Sequence, residues 1–291
     1  MELRVLNYFL AVAREQSISG AAEYLHLSQP TLSRQIKDME EELGKQLLIR
    51  GNRKITLTED GMILRKRAEE ILDLVQKTEN EISLTSDSIA GDIYIGTGET
   101  EGVRLIARIA NELQVEYPGI HYHISSGDSV DIIEKLDKGL CDFAILLEPT
   151  DLSSYESIKL PHKDTIGILM TKDSPLSTKD VLSLQDLAGL PLIVSRQMFK
   201  NGILDSISQQ IQGDLNIVAS YNLLYNASLM VSEGLGYAIG LDKIINTTGD
   251  SNLIFRPIEP TLEIGMSFAW KKYQVMSKAC EIFLKKMQEL L

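Results

Sequence analysis

Three successive segments within the first 44 residues place apolar side chains at the spacing of an α-helix. Ser19 is the expected N-cap of the second helix and Ser28 that of the third, which carries Pro30 in its first turn and ends at Gly44. The three apolar stripes are Leu3, Leu6, Phe9, Leu10 and Ala13; Ala21, Ala22 and Leu25; and Leu32, Ile36, Met39 and Leu43. A short turn between the second and third helices makes this pattern typical of a helix-turn-helix.

The segment QLLIRGNRKITLT, which follows, contains two short β-like runs on either side of Gly51 and Asn52. Such a pattern predicts a β-hairpin whose tip carries Arg50, Arg53 and Lys54. A basic hairpin next to a helix-turn-helix indicates a winged helix-turn-helix.

Thr58 is the expected N-cap of a long fourth helix with an apolar repeat at spacings of four and three residues. Three heptads are the lower limit for a coiled coil, so the repeat predicts a seam that pairs two chains. A stripe that packs on its own domain remains the alternative. The seam residues are Leu64, Ala68, Ile71, Val75, Thr78 and Ile82.

From residue 89 the pattern alternates between β-like runs and amphipathic helices. This βαβαβ order predicts a parallel sheet, and a second series from IGILM to YAIGL, with a helix over LSLQDLAG, predicts a second α/β lobe. The strand MSFAW and the last helix are expected to return to the first lobe. The predicted domains are residues 1–58, a linking helix at 59–88, and 89–291, with lobe one at about 89–161 and 267–291 and lobe two at about 162–266.

Charge is distributed unevenly along the 291 residues, whose net charge is −12. Residues 1–66 hold ten Lys and Arg against nine Asp and Glu, whereas the remainder is strongly acidic. The N-terminal part is therefore compatible with a nucleic-acid partner. A 44% hydrophobic and 24% charged composition excludes disordered classes, and the absence of a long apolar run or signal peptide predicts a cytoplasmic protein without a membrane partner.

The segment SISGAAEYLHLSQPTLSRQIKDMEEELGKQLLIRGNRKITLTEDG closely resembles the winged helix-turn-helix of LysR-type transcriptional regulators. Residues 1–60 match by motif, and the long helix and the α/β remainder match the family layout through pieces such as EYPGIHYHISSGDS and MVSEGLGYAIGL. The resemblance implies an α/β protein with an N-terminal all-α winged helix-turn-helix and a C-terminal two-lobed, periplasmic-binding-protein-like α/β domain. It also implies a small-molecule effector between the lobes and a homotetramer built as a dimer of dimers.

The polar face of the third helix is expected to enter the major groove of double-stranded DNA, at an operator with an inverted repeat. Arg50, Arg53 and Lys54 on the wing are expected to contact phosphates or an adjacent minor groove. An ordinary solvated helix face is the alternative. The residues expected at the DNA are Gln29, Pro30, Thr31, Ser33, Arg34 and Lys37.

The turn GTGETEG at residues 96–102 has the spacing G-x-G-x-x-x-G, which differs from a dinucleotide-binding loop, and its two glutamates would repel a pyrophosphate. No cofactor is therefore expected. In the LysR-like layout this turn lines the effector cleft, together with residues after other strands; a helix cap or a surface turn is the alternative for each. The expected effector residues are Thr97, Glu99, Thr100, Ser126, Asp128, Ser195, Arg196 and Gln197.

Glu99 suggests an effector with an amine or several hydroxyl groups, and Arg196 suggests an acidic group, so a zwitterion satisfies both. His121 and His123 share one face of a strand without an expected acidic or Cys partner, so no metal site is expected. No nucleophile–base pair or phosphate-binding loop appears. The sequence predicts a ligand-responsive transcription factor rather than an enzyme; the alternatives are an enzyme with a DNA-binding leader and a DNA-binding protein without an effector.

Overall fold

A computed structural model of the chain describes residues 1–51, 54–83, 89–200, 202–211 and 214–291. Contacts between residues divide the chain into two units, Met1–Ser83 and Leu84–Leu291.

The first unit begins with three helices, α1 (Leu3–Glu15), α2 (Ile18–Tyr24) and α3 (Gln29–Leu43). The Oγ atom of Ser28 accepts a hydrogen bond from the N–H of Thr31 at 3.3 Å, which confirms Ser28 as the N-cap of α3. The cap of α2 was expected at Ser19, but it is Ser17, whose Oγ accepts from the N–H of Gly20 at 3.2 Å. A serine can cap the start of a helix at either position, and the apolar pattern alone does not distinguish the two. The helices bury Phe9, Val12, Ala21, Leu32, Ile36 and Met39.

The wing consists of strands β1 (Leu48–Arg50) and β2 (Ile55–Leu57), which pair antiparallel. The carboxylate of Glu40 in α3 accepts hydrogen bonds from the N–H groups of Leu47, at 2.7 Å, and Leu48, at 3.1 Å. The N–H of Ile55 in β2 donates a further hydrogen bond to the carbonyl of Gln16, at 2.8 Å. The wing is therefore fixed to α1 and α3 by backbone groups. The wing-tip residues Asn52 and Arg53 lie outside the described residues.

Helix α4 (Glu59–Ser83) begins at Thr58, whose Oγ1 accepts from the N–H of Gly61 at 2.9 Å. A Cβ atom at Gly61 would collide with the carbonyl oxygen of Leu47, so glycine permits this close approach between the helix and the wing.

The first half of the expected dimer seam packs against the core of its own unit. Ala68 has no exposed surface, and Leu64 and Ile71 pack beside it on the helix-turn-helix core. In the single chain these three residues follow the alternative of a stripe that packs on its own domain, because a heptad stripe shows which face is apolar and not which partner covers it. Their role in pairing two chains stays a prediction. Thr78 and Ile82 are exposed, and their role in pairing stays a prediction.

The second unit alternates strands and helices, interrupted by two short 3₁₀ turns. In chain order its elements are β3 (Ala90–Thr97), α5 (Val103–Glu116), β4 (Gly119–Ser126), α6 (Ser129–Asp137), β5 (Phe143–Leu147), β6 (Tyr155–Lys159), β7 (Asp164–Thr171), β8 (Leu182–Ser183), β9 (Pro191–Ser195), α7 (Arg196–Lys200), α8 (Ile203–Gln210), β10 (Asn216–Tyr221), α9 (Leu224–Ser232), β11 (Tyr237–Leu241), β12 (Leu253–Glu259), β13 (Glu263–Ile264), β14 (Met266–Lys271) and α10 (Lys278–Glu289).

Two sheets form two lobes within this unit. The first sheet has the order β4-β3-β5-β14-β6, with β3 parallel to both β4 and β5, as the βαβαβ pattern predicts. The second has the order β10-β9-β11-β7-β12-β8. The chain crosses from the first sheet to the second between β6 and β7 and returns between β13 and β14. The first lobe buries Phe143, Phe268 and Phe283 together with Ala279 and Cys280.

One expectation for the second lobe needs correction. The segment LSLQDLAG, expected to be a helix, forms β8 and a single 3₁₀ turn, Leu184–Leu187. Asp186 accepts hydrogen bonds from the backbone and side chain of Ser183, both at 2.9 Å, and Gly189 with a φ of 71° follows, so the helix cannot extend.

The contact between Glu40 and the wing gives a first prediction. Glu40→Ala removes the acceptor for two N–H groups next to buried leucines, and we expect a loss of about 1–3 kcal/mol in the local stability of the wing. Amide hydrogen exchange over β1 and β2 measures this loss as faster exchange. Glu41→Ala is the control, because Glu41 is exposed and pairs with Lys37 on its own helix. Equal exchange in the two variants would contradict the role of Glu40.

Candidate DNA interface and effector cleft

The polar face of α3 is open to solvent. The side chains at its start are exposed, namely those of Gln29, Pro30 and Thr31. One and two turns later, Arg34 and Lys37 are also exposed, whereas Ser33 is half-buried. The Arg34 side chain is 83% exposed and its Nε lies 3.8 Å from Asp38, while Lys37 lies 3.2 Å from Glu41. Exposed pairs of this kind contribute little free energy, so both cations can exchange their partners for DNA groups.

The side chain of Thr31 also takes part in the N-terminal capping of α3. Its Oγ1 lies 2.7 Å from the Oγ of Ser28, within the hydrogen bonds that cap the helix. The first turn of α3 is thereby held in shape at the end that carries Gln29.

On the wing, Arg50 and Lys54 are exposed on either side of the hairpin tip. The N–H of Gly51 donates to the carbonyl of Lys54 at 3.1 Å and closes the loop. Arg53, the third expected wing cation, lies outside the described residues.

A cleft lies between the two lobes of the second unit and encloses about 700 Å³, including its open mouth. Four of the expected effector residues line it, namely Glu99, Asp128, Ser195 and Gln197. The remaining lining residues are Gly98, Gly127, Leu147, Glu148, Ile166, Met198, Tyr221, Asn222, Leu224, Ile239, Gly240, Leu241, Ile244 and Ile264. The lining is thus mainly apolar with a few polar groups, as in most small-molecule sites.

Glu99 reaches across this cleft from the first lobe to the second. Its Oε2 accepts a hydrogen bond from the N–H of Leu224, in the first turn of α9. Leu223, at the N-cap position of α9, has an apolar side chain that cannot accept such a bond. Glu99 therefore caps a helix of the opposite lobe. Arg104, five residues further along the chain, pairs with Glu101 at 2.6 Å.

Thr97 and Thr100 are buried and engaged with the protein itself. The Oγ1 of Thr97 donates to the carbonyl of Gly98 at 2.9 Å. The Oγ1 of Thr100 donates to the carboxylate of Asp164 and accepts from the N–H of Gly102 at 3.0 Å. Both threonines, with the exposed Ser126, border a shallower depression next to the cleft rather than the cleft itself.

The remaining expected residues make contacts between the lobes. Asp128 caps α6, with its Oδ1 accepting from two backbone N–H groups at 3.0 and 3.1 Å. Its Oδ2 lies 3.7 Å from Arg196, which is half-exposed and outside the cleft lining. The side-chain amide of Gln197 donates to the Oγ of Ser129 at 2.7 Å, and its backbone N–H donates to the Oγ of Ser195 at 3.2 Å. Arg196 thus faces a carboxylate and not the cleft interior.

Sequence reasoning missed Glu148 and Tyr221, which also line the cleft. Both follow the rule that ligands bind at the carboxyl ends of strands, since Glu148 comes directly after β5 and Tyr221 ends β10. The hydroxyl of Tyr221 donates to the carbonyl of Ile239 at 2.7 Å. Burial raises the pKa of Tyr221, and the negative charge of the nearby Glu99 raises it further. The hydroxyl group of Tyr221 therefore remains a neutral donor.

The histidines of β4 differ from the expectation in one respect. His123 has an acidic neighbour, because its Nε2 lies 3.0 Å from Asp92 on the adjacent strand, and its ring stacks on Tyr94. Among the residues the structure describes, no group of three or more His, Cys, Asp or Glu side chains is arranged to hold a metal ion. None of the described helices combines the length and apolarity that a membrane span requires. Cys141 and Cys280 are buried, as small apolar residues would be.

Two family models match the chain. The model described as "LysR substrate binding domain" matches residues 86–291, and that described as "Bacterial regulatory helix-turn-helix protein, lysR family" matches residues 3–62. The first of them alone covers more than half of the chain.

Curated relatives and solved structures agree with this match. A probable RuBisCO transcriptional regulator from Thalassiosira pseudonana is 32% identical over 246 residues, which cover 81% of this chain and 80% of that protein. The HTH-type transcriptional regulator BsdA from Bacillus subtilis is 27% identical over 82% of this chain and 83% of that protein. The fold is similar to that of CbnR, a LysR family transcriptional regulator, with a TM-score of 0.79 at 18% identity over 99% of both chains.

CbnR has also been solved in complex with its target DNA, and that structure matches with a TM-score of 0.77 at 19% identity over the full length of both chains. The matched domains, the curated relatives and the shared fold agree over both units. This chain belongs to the LysR family of bacterial transcriptional regulators, which combine a DNA-binding helix-turn-helix with an effector-binding domain.

Proposed function

We propose that this regulator reads its operator with the exposed face of α3, forms oligomers through α4, and responds to a small molecule held in the cleft of its second unit. The observation that carries the proposal is the open polar face of α3 beside a wing whose N–H groups are held by the Glu40 carboxylate of the same helix. Footprinting on the DNA upstream of its own coding sequence, with and without candidate metabolites, tests the whole function.

In the proposed complex, Gln29 pairs with an adenine edge and Arg34 with a guanine edge, since these are the pairings their donor and acceptor groups allow. Thr31, Ser33 and Lys37 contact base edges or the backbone. Pro30 starts the helix without an N–H that needs a partner. The wing residues Arg50, Arg53 and Lys54 contact phosphates and fix the register.

We propose a homotetramer because the LysR family implies one. The described part of α4 has exposed apolar residues that could pair two chains. Leu74 and Ile82 are exposed on this helix, as are Met62 and Ile63 near its start. An exposed apolar surface on a helix is stabilised when a second chain covers it. Two-fold pairing implies an operator with inverted half-sites about 34 Å apart, or a multiple of that distance.

The effector function is proposed for the cleft, where three contacts between the lobes surround the lining. These are the contacts of Glu99 with Leu224, of Arg196 with Asp128 and of Gln197 with Ser129. A ligand that binds better to one arrangement of the lobes shifts the population toward it. In this proposal the cleft binds without chemical conversion, the protein is not an enzyme, and it acts in the cytoplasm, where the chromosome is.

The DNA-contact assignment gives a second prediction. Arg34→Ala should weaken binding to the operator by about 1–3 kcal/mol and relax the base preference at one position. Lys54→Ala should weaken binding to all sequences equally and reduce the salt dependence, because a phosphate contact carries no sequence information. Titrations at several salt concentrations measure both. Arg4→Ala is the control, since Arg4 is exposed on α1 and paired with Glu2; equal operator affinity of wild type and Arg34→Ala would refute the assignment.

The placement of α4 gives a third prediction. Ile82→Asp should lower the mass in solution and shorten the footprint with helix content unchanged, because the Ile82 residue is 78% exposed in the single chain. Ile71→Asp should instead unfold the first unit, since Ile71 packs on its core. Light scattering and circular dichroism distinguish the two results. Val275→Asp, at another exposed apolar residue, is the control, and an unchanged mass for Ile82→Asp would show that this part of α4 does not pair chains.

A further inference from the structure

We infer that the cleft selects an effector with an apolar body and a cationic group, and that Glu148 is the residue that anchors the cation. This inference rests on the proposed effector function of the cleft. It replaces the zwitterion that the sequence suggested.

The charged residues of the lining are all acidic. They are Glu99, Asp128 and Glu148, and none of the described residues that line the cleft is a Lys, Arg or His. Arg196 of the second lobe lies outside the lining and faces Asp128. An acidic group on a ligand would therefore meet carboxylates, whereas a cation would be attracted.

Side-chain oxygens of the protein already accept hydrogen bonds from N–H groups at helix N-termini at and near the cleft. Glu99 accepts from the first turn of α9, Asp128 from that of α6, and Thr100, at the neighbouring depression, from the N–H of Gly102 before α5. Free N–H groups at a helix N-terminus are the usual site for a carboxylate or phosphate. Here a ligand anion would compete with the protein's own oxygens for these N–H groups.

The carboxylate of Glu148 is paired with a lysine, whereas those of Glu99 and Asp128 accept hydrogen bonds from helix N–H groups. The Oε1 of Glu148 lies 2.8 Å from the Nζ of Lys159, and the two side chains are 42% and 65% exposed. A pair this exposed is weak, because water screens both charges. A ligand cation can replace Lys159 at little cost, whereas displacing Glu99 or Asp128 would uncap a helix.

The position of Glu148 also places a cation next to the apolar part of the lining. The N–H of Glu148 donates to the carbonyl of Gly265 at 2.9 Å, and a side chain at Gly265 would collide with its carboxylate. Gly265 is the residue between β13 and β14, where the chain returns to the first lobe. The adjacent Leu147 and Ile264 line the cleft, so a ligand held by Glu148 has apolar surface beside its charged group.

Three probes with one apolar body test this inference on the full-length protein: 3-phenylpropylamine, 3-phenylpropan-1-ol and 3-phenylpropanoate. Calorimetry should rank the amine first, the alcohol second and the carboxylate last. Glu148→Gln should weaken amine binding about tenfold, the factor for one charge-assisted hydrogen bond, and leave alcohol binding nearly unchanged. Lys159→Gln should have the opposite sign and strengthen amine binding, because it removes the competing cation.

The pair Lys163 and Glu263 provides matched controls. It is also an exposed ion pair, at 3.1 Å, and neither residue lines the cleft, so Lys163→Gln and Glu263→Gln should leave all three affinities unchanged. Alcohol binding shows that each variant keeps a folded cleft.

Two results would overturn the inference. One is carboxylate binding as tight as amine binding, or an amine preference that survives Glu148→Gln. The other is the failure of all three probes to bind a protein that still binds its operator. The proposed function fails separately: if the amine binds as expected but leaves the operator footprint unchanged, the chemistry of the cleft is correct and its effector role is wrong.

Discussion

The N–H groups in the first turn of a helix have no partner within that helix, and the side chains that satisfy them organise both units of this protein. Ser28 sets the start of α3, and Thr58 sets the start of α4 beside the wing. In the second unit Asp128 caps α6 from within its own lobe, whereas Glu99 caps α9 from the opposite lobe. The same type of hydrogen bond therefore shapes the DNA-binding face in one unit and holds the lobes together in the other.

A small buried cluster of Thr100, Asp164 and Met266 lies at the two chain crossings between the lobes. Thr100 of the first lobe donates to Asp164, which begins β7 after the first crossing and lies 3.1 Å from His162. Thr100 also touches the sulfur of Met266, directly after the second crossing, at 3.5 Å. One threonine thus contacts both crossings. Because Thr100, Asp164 and Met266 are all buried, the turn next to the cleft is packed directly against both crossings.

The elements with clear periodicity could be predicted from the sequence, and those determined by long-range pairing could not. The three N-terminal helices and the βαβαβ run follow from repeats of apolar residues and from helix caps. Strands β6 and β12 were not expected, because YESIK and LIFRPIE carry charges and a proline and are stabilised by neighbours that are distant in sequence. Burial of Ala68 and the reach of Glu99 across the cleft likewise depend on contacts that no local pattern contains. The rule for strand ends located the cleft but did not show which of its residues face inward.

The hydrogen bonds that the N–H groups of Leu47 and Leu48 donate to Glu40 join the wing to α3. In the proposed complex with DNA, the protein therefore sets the distance between a helix in the major groove and a wing on the neighbouring backbone. Duplex DNA varies in groove width and bend with its sequence. A rigid pair of contacts measures that geometry, so base pairs that no side chain touches contribute to operator choice through the energy needed to bring the two grooves to the required spacing.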